Sequence, residues 1–358
     1  MSTKKYKIVK SKSIVYNGRT LYRIKALRDF NTVTGETVFK GDLGGFIETE
    51  NNLSQEGYCW IFNNAKVYDD ARVSEDAKIC GGAEIFDSAE VFGNAEISGN
   101  TQIFYGAHVC GNAKVYGYAK VCGKARVYGE AKVYNFAKIL DNAQVYDNAK
   151  IYENAIVAGD VQIYHNAQVY GNAWIYDDAF ICDNARIYGL AKIFNKAIVY
   201  GNAKVYGNAQ IFGKAKVYGN AEVYENAEIF DYAFIFGDAK VFSNAKIFGT
   251  TWLYCAAKIG DKLSLNKGKY IFATLNIDET LSEIEPICYK ISFAVRVIEL
   301  KLPIEQGYIE SLVSELAKYD ELIDYFHSNE CEIIFTPNEN KIYKLLLQSK
   351  QNIENFYK

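Results

Sequence analysis

The chain has 358 residues, with 40 Lys and Arg against 43 Asp and Glu, a net charge of −3, and 29 Tyr, 21 Phe and three Pro. That balance supplies no global field to draw the protein onto nucleic acid, and no run approaches the roughly 18 apolar residues of a membrane span. The length allows two domains, although a repeat array escapes the usual size rule because each repeat needs only its neighbours.

Residues 1–45 carry ten Lys and Arg against three Asp and Glu. This is the composition of a solvated cap, or of a segment that meets phosphate or an acidic partner. Met1 to Ser13 is rich in Lys without an apolar core, so it does not read as a secretory leader. Residues 6–9, 13–16 and 20–24 read as strands around Asn17-Gly18, the strongest short hairpin signal. A solenoid end exposes unpaired backbone and a cut core, so this segment is expected to cover one.

From Cys59 to Gly260 a six-residue unit runs through 34 consecutive copies without an inserted or deleted residue. The unit reads Ala-x-Val/Ile-aromatic-x-x, as in Ala203-Lys204-Val205-Tyr206-Gly207-Asn208. Its first place departs from Ala only at Cys59, Thr101, Val161 and Thr251, and its third from Ile or Val only at Leu253. Alternation of Ala (in), a polar residue (out), Val/Ile (in) and an aromatic (out) has the two-residue period of a strand. The last two places are rich in Gly, Asn and Asp, which accept left-handed backbone angles. Each hexad is therefore a short strand plus a corner, and three corners close a coil of about 18 residues. The 34 hexads make about 11 coils, a prism roughly 54 Å long at the ~4.8 Å spacing of adjacent strands.

Ile/Val with a small residue two places earlier resembles the left-handed parallel β-helix of the hexapeptide-repeat superfamily. Residues 44–57, Gly-Gly-Phe-Ile-Glu-Thr-Glu-Asn-Asn-Leu-Ser-Gln-Glu-Gly, resemble more closely bacterial and phage hexapeptide-repeat proteins labelled as transferases without an assayed reaction. The resemblance covers roughly residues 22–260. It implies the left hand, which strand crossovers otherwise disfavour, and it implies trimers formed through helix faces.

All three prolines (Pro286, Pro303, Pro337) follow the repeats. Residues 269–275 and 287–300 read as strands, and Ile309, Leu312, Val313, Leu316, Ile323 and Phe326 line an amphipathic helix over 307–327. A short strand at 332–335 and a helix lined by Ile342, Leu345, Leu346, Ile353 and Phe356 follow. The expected organisation is mainly β: a hairpin cap (1–45), a three-sided parallel β-helix (46–260) and a small α+β domain (261–358).

The resemblance makes acyl transfer the first reaction to weigh, with nucleotidyl transfer beside it. The family's acyltransferases interrupt their coils with loops and use a His base, whereas this chain has three histidines and no loop in the repeats. His108 projects outward from a strand, His165 sits in a corner, and neither shows an orienting partner in the sequence. The eight cysteines form no Cys-x-x-Cys pair, and Cys80, Cys110, Cys122 and Cys182 take outward places. Neither a metal nor a cofactor is expected, and the default compartment is the cytoplasm with reduced thiols.

The outer surface is the remaining candidate. On the first face Lys114, Lys132, Lys150, Gln168, Arg186, Lys204, Glu222 and Lys240 form a column beside Tyr116, Tyr134, Tyr152, Tyr170, Tyr188, Tyr206 and Tyr224. Such columns either grip a phosphorylated small molecule, a nucleotide or a polyanion, or simply stiffen a sheet by stacking. Elsewhere the polar second place turns apolar: Ile156 and Trp174 on the second face, and Phe180, Ile198, Phe234 and Trp252 on the third. A stripe of that size calls for a cover, either a second copy of the chain or its own C-terminal part. The reading is a non-catalytic binding or scaffold protein that self-associates. The alternatives are a binder that sequesters a nucleotide signal, as in a phage or defence setting, and an acyltransferase.

Overall fold

A computed structural model of the chain describes residues 4–255, 258–260, 262–267 and 269–272. It falls into two compact units, Met1–Gly207 and Asn208–Lys358. The described residues of each unit follow an 18-residue coil of parallel β-solenoid, about 12 coils counted over both. The expected strand at 287–300 and both expected helices lie outside the described residues.

The coil follows from three backbone bonds per hexad. Lys114 N–H donates to Ala131 O (2.9 Å), Tyr116 N–H to Val133 O (3.0 Å) and Tyr118 N–H to Asn135 O (2.7 Å). The second, fourth and sixth places therefore donate to the coil that follows. The corner is closed by the first-place N–H, as from Ala131 to Tyr128 O. The fifth place has positive φ in every hexad from Gly57 to Gly249, at 17 glycines and 16 other residues. Asn and Asp account for most of the others, since their short side chains tolerate this conformation. Glu75, Tyr105, Glu153, His165, Glu225 and Ser243 occupy it as well.

In the first unit the rungs stack in register on three faces. The first face runs from Trp60–Ile61 to Lys204–Val205, the second includes Lys66–Val67 to Lys192–Ile193, and the third runs from Arg72–Val73 to Ile198–Val199. In the second unit Gln210 faces Glu228, Lys216 faces Phe234 and Glu222 faces Lys240. The first and third places point inward as expected. From Ala65 to Ile247 their side chains are fully buried or nearly so.

The N-terminal segment caps the first unit. Strands β1 (Tyr6–Tyr16) and β2 (Arg19–Ala26) form an antiparallel hairpin with an irregularity between Val9 and Ser13. Asn17 and Gly18 turn it with φ of 48° and 75°, as the expected tight turn requires. A small hairpin follows, β3 (Phe30–Asn31) with β4 (Thr37–Val38). Strand β5 (Leu43–Ile47) pairs antiparallel with β2 and parallel with Lys66–Val67, so the hairpin prolongs the second face. Gly44 and Gly45 permit this approach. A Cβ at Gly44 would lie 2.6 Å from Ile61 O, and one at Gly45 2.5 Å from Ala65 O.

Polar groups complete the seal. Asn52 is fully buried; its side chain accepts from Glu48 and Thr49 N–H and donates to Asp69 and Ala71 carbonyls. Lys5 is fully buried too, and its ammonium donates to the carbonyls of Glu56, Gly57 and Cys59. Trp60 lies edge-on to Tyr6 and Phe30, with centroids 6.3 and 5.5 Å away. The Gly-Gly and Asn-Asn-Leu segments of the sequence are thus cap chemistry.

The rungs do not stop at residue 260. Ser264–Leu265 pairs with Lys246–Ile247, and Lys269–Phe272 pairs parallel with Trp252–Cys255. The part of the C-terminal domain expected over 261–358 that lies beyond residue 272, including its strand at 332–335, is outside the described residues, and the strand expected at 269–275 is present over Lys269–Phe272. Here Trp252 faces Lys269 where the strict period would bring Tyr270, so the ladder persists after the hexad signature has lapsed.

Burial with no partner makes the inner columns intolerant of charge. Val133→Asp should lower unfolding free energy by about 3 kcal/mol or more, because an uncompensated charge is left in the core. Urea unfolding checks this, and an unchanged midpoint would refute the inward assignment.

Candidate ligand and association surfaces

The fourth-place rings stack because the ladder sets them one rung apart. Tyr116, Tyr134, Tyr152, Tyr170, Tyr188 and Tyr206 form one column with centroid separations of 4.7–4.9 Å and planes within 6°. Tyr128, Tyr146 and Tyr164 form another on the third face, and Tyr68, Phe86 and Phe104 one on the second. The rings are only partly exposed, as stacking demands. Burial, followed by the neighbouring phenols of Tyr170 and Tyr134, pushes Tyr152 up to about 12. Burial likewise pushes Tyr68 up to about 12, and a hydrogen bond with Cys182 followed by burial does so for Tyr164. The columns therefore present neutral phenols.

Beside the Tyr column, Lys114 faces Lys132, Lys132 faces Lys150, Gln168 faces Arg186, and Arg186 faces Lys204. The ladder thus aligns the candidate ligand-binding residues Lys114, Tyr116, Lys132, Tyr134, Lys150, Tyr152, Arg186, Tyr188, Lys204 and Tyr206, but as flat neighbours on one sheet. Where the second place holds Glu, a cation stands on an adjoining rung: Lys66 for Glu84, Arg72 for Glu90, Lys114 for Glu96, Lys240 for Glu222 and Lys246 for Glu228.

The six apolar candidates divide into three register pairs. Ile156 faces Trp174 on the second face, with Trp174 about half exposed at 49%. Phe180 faces Ile198 on the third face of the same unit. Phe234 faces Trp252 in the second unit, their rings tilted by 37° where the other columns are parallel. The first unit thus carries one such pair on its second face and one on its third, and the second unit carries its own.

The histidines need a correction. Sequence alone showed no acid near them, yet His165 Nδ1 lies 2.9 Å from Asp183 Oδ1 and its Nε2 4.0 Å from Asp147 Oδ2. The two acids stand one whole coil to either side of the ring, so linear proximity hid them. His108 Nδ1 lies 3.8 Å from Glu90. Among the described residues no group of three His, Cys, Asp or Glu is placed to hold a metal ion. Cys59, Cys80, Cys110, Cys122 and Cys182 are free thiols, and burial pushes all five up from the ordinary thiol value. No described helix is long and apolar enough to cross a membrane.

Two features of the corners escaped the sequence reading. The fifth-place N–H is left out of the backbone ladder, and a fifth-place acid one coil earlier accepts it. Asp69 accepts from Asp87, Asp87 from Tyr105, Asp141 from Gly159 and Glu153 from Gly171. Asp177 does the same for Asn195, and Asp231 for Gly249. The second feature is Tyr118 stacked on Phe136, both at the sixth place and exposed at 54% and 55%. Comparing sixth places one coil apart would have exposed this pair.

No protein-family model matches the chain, and no curated protein matches it.

Two measurements follow from this geometry. Asp87→Ala should cost about 1 kcal/mol by orphaning the Tyr105 N–H, with further strain at the positive φ, whereas Asp87→Asn keeps an acceptor and should melt close to the parent. Unfolded phenols ionise near pH 10, while Tyr68, Tyr152 and Tyr164 hold their protons to about 12. In that window the folded chain keeps protons that the unfolded chain has released. Stability from this source is full below pH 10 and lost as pH rises toward 12. Thermal melts across that window should show falling midpoints, with phenolate absorbance of the folded protein lagging that of free tyrosine.

Proposed function

We propose that the protein is a non-catalytic β-solenoid scaffold that self-associates through its apolar outer patches. Trp174 carries this reading. Its indole is about half exposed in a place that is polar in most other hexads, beside Ile156 on the adjoining rung. The Phe234–Trp252 pair repeats the arrangement in the second unit. Aromatic anchors of this kind dominate association energies, and a second copy offers the same regular rungs to pack against. The resemblance to trimer-forming hexapeptide proteins favours the same partner.

The non-catalytic reading rests on where the His165 imidazole stands. His165 and Asp183 lie at an exposed corner, where water has free access and the electrostatic gain of a closed site is lost. A second reading, capture of a phosphorylated ligand, is favoured by the Lys ladder of the first face.

Light scattering on the parent tests self-association directly. A multimer at micromolar concentration is expected, and Trp174→Glu combined with Phe234→Lys should yield a folded species of smaller mass. A strictly monomeric parent would overturn the proposal.

A further inference from the structure

Charge is compensated along the second-place ladder wherever it holds glutamate, but at one edge of the first unit it is not. Lys114, Lys132 and Lys150 stand directly opposite one another on successive rungs of the first face. Around the next corner Lys120 stands opposite Lys138 on the second face. Like charges in opposed positions destabilise a sheet. Among the described residues only Lys114 of these five has an ion pair, with Glu96 at 2.7 Å.

The two lysine rows border the same corner, and the exposed ring pair stands between them. Tyr118 and Phe136 occupy that corner in the same two coils, 5.2 Å apart with planes within 10°. The corner column reads Asn100, Tyr118, Phe136, Asn154, so an exposed amide side chain follows the ring pair on either side. The rings stack coil upon coil, so their normals run in the direction in which the coils succeed one another. A polymer whose flat groups stack along its own axis matches that direction. The sugar rings of an acidic glycan lie along the chain instead and do not.

We propose that this edge binds single-stranded nucleic acid running along the coil direction. The lysine rows contact phosphates, and bases extend the Tyr118–Phe136 stack while the two asparagines meet base edges. A convex corner cannot enclose a mononucleotide, but a strand can lie along it. The net charge of −3 does not oppose this, because residues 113–130 alone carry Lys114, Lys120, Lys124 and Arg126 against Glu130. The nearest corner acid beyond the ring pair, Glu153, is engaged by the Gly171 N–H at 2.8 Å. The proposal rests on the second reading above, capture of a phosphorylated ligand by the lysine ladder, and is independent of self-association.

Fluorescence anisotropy with labelled oligo(dT) and oligo(U) on the full chain provides the test. Binding should weaken with salt, with a log–log slope of about −3.5 for five lysine contacts to a single strand. Lys120→Glu with Lys138→Glu, and separately Tyr118→Ala with Phe136→Ala, should each weaken binding about tenfold or more. Lys192→Glu on the same face should leave it within about twofold. All variants should keep the parent's melting temperature and mass, since these side chains point outward, which separates this test from that of self-association. No binding at low salt would overturn the proposal. So would retention of affinity after ring removal, equal affinity for a mononucleotide, which would leave simple phosphate capture standing, or full competition by a polyuronate, which would assign the edge to acidic glycans.

Discussion

The structure depends on one constraint: every coil must close after three hexads so that each rung meets its neighbour in register. The second-, fourth- and sixth-place N–H groups then find carbonyls one coil on, as at Lys114, Tyr116 and Tyr118. A one-residue slip would turn the Val/Ile column outward and bury the Lys and Glu places. Closure is achieved at the fifth place, where positive φ recurs in every hexad from Gly57 to Gly249. Where that place holds an acid, the carboxylate also satisfies the N–H that the ladder omits, as Asp87 does for Tyr105. Turn preference and hydrogen bonding therefore favour Asp at the same position.

Register converts a repeated residue into a surface. Tyrosines at six successive coils become one stack at 4.7–4.9 Å, and the rungs that align rings also align charge. Glu84 beside Lys66 and Glu228 beside Lys246 relieve their own rows. Lys114, Lys132 and Lys150 are aligned by the same geometry without such alternation. The cap shows the opposite use of polar groups, because Lys5 and Asn52 are buried with backbone carbonyls as partners. Burial holds the Lys5 ammonium below its ordinary pKa, with the Cys59 thiol acting in the other direction.

Much of the fold was legible because the hexad is short and its places are chemically distinct. Ala and Val/Ile at a spacing of two announced inward columns, and Asn17-Gly18 announced the hairpin. The cap's closeness to the first coil was less legible. Gly44 and Gly45 are compact for reasons that only Ile61 and Ala65, reached through the ladder, reveal. The pairing of Lys269–Phe272 was illegible for a related reason: it is kept through backbone bonds after the side-chain pattern has lapsed.

The sequence by itself determined the three-hexad coil, its inward columns and the outward candidates, because a strict six-residue period leaves one way to bury Ala and Val/Ile together. Only the tertiary structure decided what the outward side chains bond to. Residues a full coil apart became partners, which placed Asp147 and Asp183 around His165 and stacked Tyr118 on Phe136. The physical reason is that corners separate residues that are close along the chain, while the ladder joins residues that the chain reaches only after going once around.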